Sequence, residues 1–326
     1  MDFLLNQYYL QMTMFIIINA ILGVSMYLTM STGQLSLGAA GFMSIGAYVS
    51  ALLTMKAGLP LYLAVPIGGV GACLLALVIG IPTTRLKGIY LAIATLGLGE
   101  VVRVIMLNLK ITNGALGLSG IPSMSIMLGK VLTAAGLGSG LAGISVRQLG
   151  TLSSILVLAL LLAFLVFFSV RLNNSRWGRA FAAIKADEYA AEVSGVNIRY
   201  YKLMAFIIGA FVAGVAGGLA AHITFFIGPK DFAYHRAVEI LLFAVLGGSD
   251  TVWGPLLGSF ILTLLPEALR FATEYRSMIY GAILVIMMAF RPQGLISEET
   301  IRYWKDKLSK PTSVADVEKE ITGRSL

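Results

Sequence analysis

The 326 residues predict an all-α fold, a polytopic transmembrane helical bundle in which some helices are broken. Three observations carry this prediction. The first is composition: 58% of residues are hydrophobic, only 12% are charged, and mean hydropathy is +0.87. A soluble domain carries roughly 25% charged residues. A core of this size could not hide so much apolar surface from water, so the solvent is lipid. The second is distribution. Phe3 to Met55, Ala57 to Thr84 and Gln148 to Val170 contain no Asp, Glu, Lys, Arg or His. Crossing a bilayer takes about 20 apolar residues as a helix, and barrel strands would alternate polar and apolar instead. The third is punctuation. Gly247-Gly248-Ser249-Asp250-Thr251-Val252-Trp253-Gly254-Pro255 is a run of helix breakers between two short apolar segments.

Taken in order, the spans read near 9–30, 36–55, 61–83, 89–108, 150–170, 203–226, 237–248, 254–269 and 277–290. The seventh and eighth are too short for ordinary crossings. Broken helices of this kind line cavities, because free backbone groups are tolerated at depth only away from lipid. Between the fourth and fifth spans, residues 110–149 are moderately apolar and Gly-rich. They are expected to lie on the outer membrane surface or beside a partner. The N-terminus lacks the basic region and cleavage site of a signal peptide. Cys73 is the sole cysteine, so no intrachain disulfide can form. No clean internal repeat is visible.

Lys and Arg set the orientation. With the N-terminus outside, Arg85, Lys87, the basic residues from Arg171 to Lys202 and those from Arg291 onward all fall on the cytoplasmic side. That is the bias expected of membrane proteins, and it places the C-terminus in the cytoplasm. It also accounts for the net charge of +8 without nucleic acid. Two regions follow: a transmembrane region over 1–297, and a charged tail over 298–326 with no long apolar periodicity.

The cytoplasmic loop 171–202 has helical character of its own. Asp187 is a good N-cap, Glu188 puts negative charge in the first turn, and Gly195 is a natural C′ residue. The helix between them has about two turns, marginal alone in water. Ala190 and Ala191 are expected to be exposed as a small flat face. Such a unit suits docking against another protein; the plainer reading is a connecting loop.

Charged residues within spans are few. Glu100 and Arg103 share one helical face and read equally as pathway or gate residues or as a structural ion pair near the outer end of their helix. Glu239 begins a broken helix after His235-Arg236, and Glu267 and Arg270 repeat the spacing. Both pairs read first as interfacial residues with snorkelling stems. His222 and His235 are the only histidines, too few for a metal site, and His222 reads as a satisfied core residue. Glycines from Gly33 to Gly46 serve close helix packing or expose backbone to a pathway, with packing favoured.

Several motifs together resemble the permease subunits of branched-chain amino-acid ABC transporters, the Liv type, in its LivM-like branch. They are Gly33-Gln34-Leu35-Ser36-Leu37-Gly38 with Gly46-Ala47-Tyr48; Arg85-Leu86-Lys87-Gly88 through Leu96 with Glu100 and Arg103; Thr112-Asn113-Gly114 with Gly120-Ile121-Pro122; Gly178-Arg179-Ala180 through Asn197; and Leu246-Gly247-Gly248 with Arg291-Pro292-Gln293-Gly294. The likeness runs from about residue 10 to 296. It implies a fold like that of vitamin and sugar importers. It also implies an ATPase-coupling surface at Gly178, Arg179, Lys185, Asp187, Glu188, Tyr189, Ala190, Ala191 and Gly195. Candidate pathway residues are Gln34, Ser36, Glu100, Arg103 and Glu239. The sequence departs from the common Glu-Ala-Ala-x-x-x-Gly pattern: Tyr189 stands in the Glu place, with Glu188 one residue earlier.

No phosphate-cradling Gly-x-x-x-x-Gly-Lys-Ser/Thr occurs, so no nucleotide site is evident in the chain. The resemblance implies that ATP and Mg are bound by two ABC ATPase subunits. It also implies a LivH-like second permease and a periplasmic substrate-binding protein, all at a bacterial inner membrane. Related permeases carry urea, short amides or other amino acids. Two rivals belong to other classes. A secondary transporter would use Glu100 or Glu239 without ATPases. An intramembrane serine protease would use Ser119 in Gly117-Leu118-Ser119-Gly120 with His222 or His235 as base.

Overall fold

A computed structural model describes residues 7–134 and 146–268, together with 278, 281–282, 285 and 294–295. The ninth expected span, the pairing of Glu267 with Arg270, and the tail 298–326 therefore fall wholly or largely outside the described residues.

The described chain forms α1 (Gln7–Met30), α2 (Ala39–Lys56), α3 (Leu61–Thr83), α4 (Ile89–Asn108), α5 (Met124–Ala134), α6 (Val146–Asn173), α7 (Arg176–Ala186), α8 (Glu188–Val193), α9 (Ile198–Thr224), α10 (Tyr234–Gly247) and α11 (Trp253–Ala268). Six of these, α1 to α4, α6 and α9, are long and apolar enough to cross a membrane. Each overlaps an expected span. The sequence reading missed α5, which packs against α6, and the short antiparallel pair of β1 (Leu118–Ser119) with β2 (Phe226–Ile227). The stretch 110–134 is thus built into the bundle's fold at this end.

Burial sorts the helices. In α1, 72% of the apolar window is buried, whereas in α6 only 17% is, which makes α6 a peripheral helix. The centre is α1, α2 and α9, and glycine is what brings them together. A Cβ on Gly46 would stand 2.0 Å from the Gly214 carbonyl oxygen, and one on Gly217 would stand 2.0 Å from that of Met43. With no hydrophobic drive between helices in lipid, close backbone packing supplies the attraction. The packing reading of Gly46 therefore holds.

Helices α10 and α11 form the broken pair. At about 1.5 Å per residue α10 is about 21 Å long, short of the roughly 30 Å hydrocarbon core. The two are zipped at their shared turn: a Cβ on Gly247 would lie 1.8 Å from the Gly254 oxygen, and one on Gly258 would lie 2.1 Å from the Phe243 oxygen. A Cβ on Gly23 of α1 would stand 2.8 Å from the Pro255 carbonyl oxygen. So α1 backs the hairpin.

Candidate functional site

The candidate coupling surface assembles at one end of the bundle. Ser175 caps α7, its Oγ accepting from the Trp177 and Gly178 amides at 3.1 and 3.4 Å. Gly178 is required there, because a Cβ would fall 2.1 Å from the Asn173 oxygen. Phe181 and Ile184 are buried under α7, and Trp177 and Phe181 join Tyr200 and Tyr201 of α9 in an aromatic cluster with centroids 5.4–6.5 Å apart. Arg179 points outward and is exposed.

Asp187 ends α7 and starts α8. Its Oδ1 accepts from the Tyr189 and Ala190 amides at 2.8 and 3.2 Å. At the other end Gly195 has φ +83, its N–H bonds the Glu192 carbonyl, and the Val196 N–H bonds that of Ala191. These two bonds make a Schellman motif. Both caps stand where the sequence placed them.

Glu188 anchors this short helix. Its carboxylate takes an ion pair from Lys202, a side chain only 5% exposed, and a second from Lys87 at 3.0 Å. Lys87 also lies over the Tyr189 ring, 4.6 Å from its centroid. Burial pushes the Glu188 carboxyl up, but hydrogen bonds and charge from Lys202 and Lys87 outweigh it and hold it below the usual carboxylate range. The same bond from Glu188 raises Lys87 above the usual lysine value. Lys185 donates to Asp250 at 2.9 Å and to the Ser249 carbonyl at 3.1 Å, tying α7 to the turn between α10 and α11. Gln34 donates to the Lys202 carbonyl at 2.9 Å.

One expectation is corrected here. Ala191 is 4% exposed and belongs to the inner side of α8. Ala190 is exposed as expected, and the outward face also carries Tyr189, 73% exposed, and Val193, 91% exposed, an i, i+4 apolar pair. The inner side is fixed by Glu188 and its two lysines, which sequence spacing could not foresee.

The candidate pathway residues separate. Gln34 and Ser36 are buried at the same end as α8; Ser36 Oγ accepts from the Gly38 amide at 3.2 Å, at the start of α2. Glu100 and Arg103 do pair, with Arg103 Nε donating at 2.7 Å, but half-way along α4 rather than at its outer end, and Glu100 is 43% exposed. Glu239 is part of a network. Arg236 donates to Glu239 through Nη1 and to Asn19 through Nη2, both at 2.7 Å.

His222 is fully buried, its Nδ1 2.8 Å from the Pro122 carbonyl and its Nε2 3.1 Å from Ser50 Oγ. A carbonyl only accepts, so Nδ1 donates, and both ring nitrogens are used. Ser119 is exposed on β1 and pairs with Phe226 through backbone. The serine–histidine arrangement the protease reading needs is therefore not formed with His222, and His235 stacks on Tyr234 with centroids 3.8 Å apart.

Comparison with known proteins decides the family. The family described as branched-chain amino acid transport system / permease component matches residues 8–288. The chain belongs to this family. It is 36% identical over 286 residues to the high-affinity branched-chain amino acid transport system permease protein LivM of Escherichia coli, covering 86% of this chain and 66% of the relative. It is likewise 36% identical over 292 residues to LivM of Salmonella typhimurium, covering 87% and 68%. Similarity to LivH of E. coli is 29% over 154 residues, covering 46% of this chain and 49% of that one. The chain thus spans about two thirds of the length of the LivM relatives. No solved structure matches. With its six long apolar helices, this member of the permease family is a multi-pass membrane protein.

Proposed function

We propose that this chain is the permease subunit of an ATP-binding cassette importer for the branched-chain amino acids Leu, Ile and Val. In this reading it carries no catalysis. ATP and Mg are bound by two separate ABC ATPase subunits, a LivH-like permease completes the membrane pair, and a periplasmic binding protein delivers substrate. The setting is the bacterial inner membrane, with α7, α8 and the C-terminus in the cytoplasm. The permease region is 1–297 and the charged tail is 298–326.

The observation that carries the reading is α8: a six-residue helix capped at both ends, clamped inward by Glu188, and presenting Tyr189 and Val193 outward. An exposed apolar pair on so short a helix is a docking feature. Its neighbours explain transmission. A push on α8 reaches α9 through Lys202, the α3–α4 loop through Lys87, and the α10–α11 turn through Lys185 on the adjoining α7.

The test is co-purification of the tagged chain from its native membrane in mild detergent, with the associated subunits identified by mass. ABC ATPase subunits and a second permease are expected. Their absence from an intact preparation contradicts the reading.

A further inference from the structure

Arg236 and Glu239 of α10 meet Asn19 of α1, which in turn meets Thr263 of α11; Asn19 is buried and the ion pair is partly exposed. Asn19 stands twelve residues from Gln7 and eleven from Met30 on α1, about 17–18 Å from either end. Arg236 lies in the first turn of α10, about 17 Å from Gly247. Both routes give mid-bilayer depth. An ionised side chain there costs about 2.5–3.5 kcal/mol even on lenient insertion scales. A buried ion pair is also often no more stabilising than apolar residues of similar volume. Stability alone therefore does not account for an Arg and a Glu at this position.

The cluster is organised as a site. Arg236 Nη2 donates to Asn19 Oδ1, and Asn19 Nδ2 donates to Thr263 Oγ1 at 2.9 Å. Thr263 in turn donates to the Ser259 carbonyl at 2.6 Å. Asn19 is 6% exposed and uses both ends of its amide, so α1 and α11 together aim the guanidinium from outside its own helix. The ion pair remains reachable, with side-chain exposure of 20% for Arg236 and 34% for Glu239. One turn further along α10, Ile240 and Phe243 are fully buried, and beyond them the glycine zip closes α10 onto α11. The charged pair thus stands next to closed apolar packing. The Glu100–Arg103 pair differs, because its hydrogen bonding, among the described residues, stays within α4.

We propose that this cluster is a transit site for a zwitterionic amino acid, with Arg236 receiving the α-carboxylate and Glu239 the α-ammonium. A zwitterion carries the same two charges as the pair it would open. Exchanging one internal ion pair for two external ones leaves the net charge in the membrane unchanged. Arg presents a planar fork suited to a carboxylate. Because the resting pair is already satisfied, binding is weak, and a site that must release its cargo needs weak binding. This inference rests on the amino-acid importer reading above and adds where the substrate is held in passage.

The test uses the complete transporter in proteoliposomes, with labelled leucine and its loaded binding protein. Two variants are compared with wild type. E239Q keeps an acceptor for Arg236 and removes the charge; R236M/E239M replaces both charges by apolar volume, a change that should preserve assembly. Both are expected to co-purify with the ATPases at wild-type ratio. Uptake should fall roughly tenfold to a hundredfold, the worth of one charge-assisted hydrogen bond. Assembled variants whose uptake stays within about twofold of wild type would assign the pair to structure and overturn this inference alone. A wild-type complex that carries no amino acid overturns the importer reading, and this inference with it.

Discussion

Two charged clusters in this molecule use the same chemistry in different solvents. At the α8 end, Glu188 is held by Lys202 and Lys87, with Lys87 57% exposed. At mid-depth, Arg236 is held by Glu239 and Asn19, with α1 and α11 supplying the frame. The first cluster sits where water screens charge, so its value is positional: it fixes which face of α8 points outward. The second is only partly exposed, so an unpaired charge there is poorly solvated and each partner matters more to the other. Charge near water orients a surface, whereas charge at depth marks a place where polar cargo can be exchanged.

Breaking one bond in each cluster exposes the contrast. The largest effect is expected for R236A, which leaves Glu239 and Asn19 without their donor inside the membrane. Removing one partner of a fully buried pair costs about 3–5 kcal/mol; this pair is partly exposed, so a fall in thermal stability in detergent toward the low end of that range is expected. G195V comes next. Gly195 holds φ +83, where a β-branched residue is strained by about 1–3 kcal/mol. The Schellman motif should open, with ATPase association lost and membrane insertion kept. If transport survives G195V, α8 is not the coupling element.

A smaller effect is expected for K202M, because Glu188 is partly exposed and retains Lys87; about 1.5 kcal/mol is the low end of the worth of one hydrogen bond to a charged group. This cluster also has a predicted pH profile. The Glu188 carboxyl is depressed on folding, so its contribution is full above the ordinary glutamate value and is lost as pH falls through the lowered one. The Lys87 value is raised, so its contribution is full below the ordinary lysine value and is lost as pH rises through the raised one. Between these limits complex assembly should be insensitive to pH, and K202M should move the acid limit upward. The smallest effect is D187A, which removes the two N-cap bonds for about 1 kcal/mol. It should weaken ATPase association measurably without abolishing it.

The sequence showed these regions unequally. Caps are local, so Asp187 and Gly195 announced both ends of α8 from residue type alone. Long apolar runs likewise announced the crossings, because their length is set by the bilayer. Long-range pairing was not legible. Nothing in the spacing joins Asn19 to Arg236, 217 positions apart, or Lys202 and Lys87 to Glu188. For that reason Ala191 was expected outside and lies inside. Helix α5 was hidden by a Gly-rich composition with no span-length apolar run, and its partner α6 is what stabilises it.

The account stands most directly on α8 meeting an ATPase with Tyr189 and Val193. Val193 is 91% exposed and presents a single point for attachment of a probe. With Cys73 replaced by Ser, V193C carrying a short photo-crosslinker in the assembled complex should yield one major adduct with an ABC ATPase subunit. An adduct confined to lipid, to another part of this chain or to the second permease, in a preparation that contains the ATPases, would contradict it.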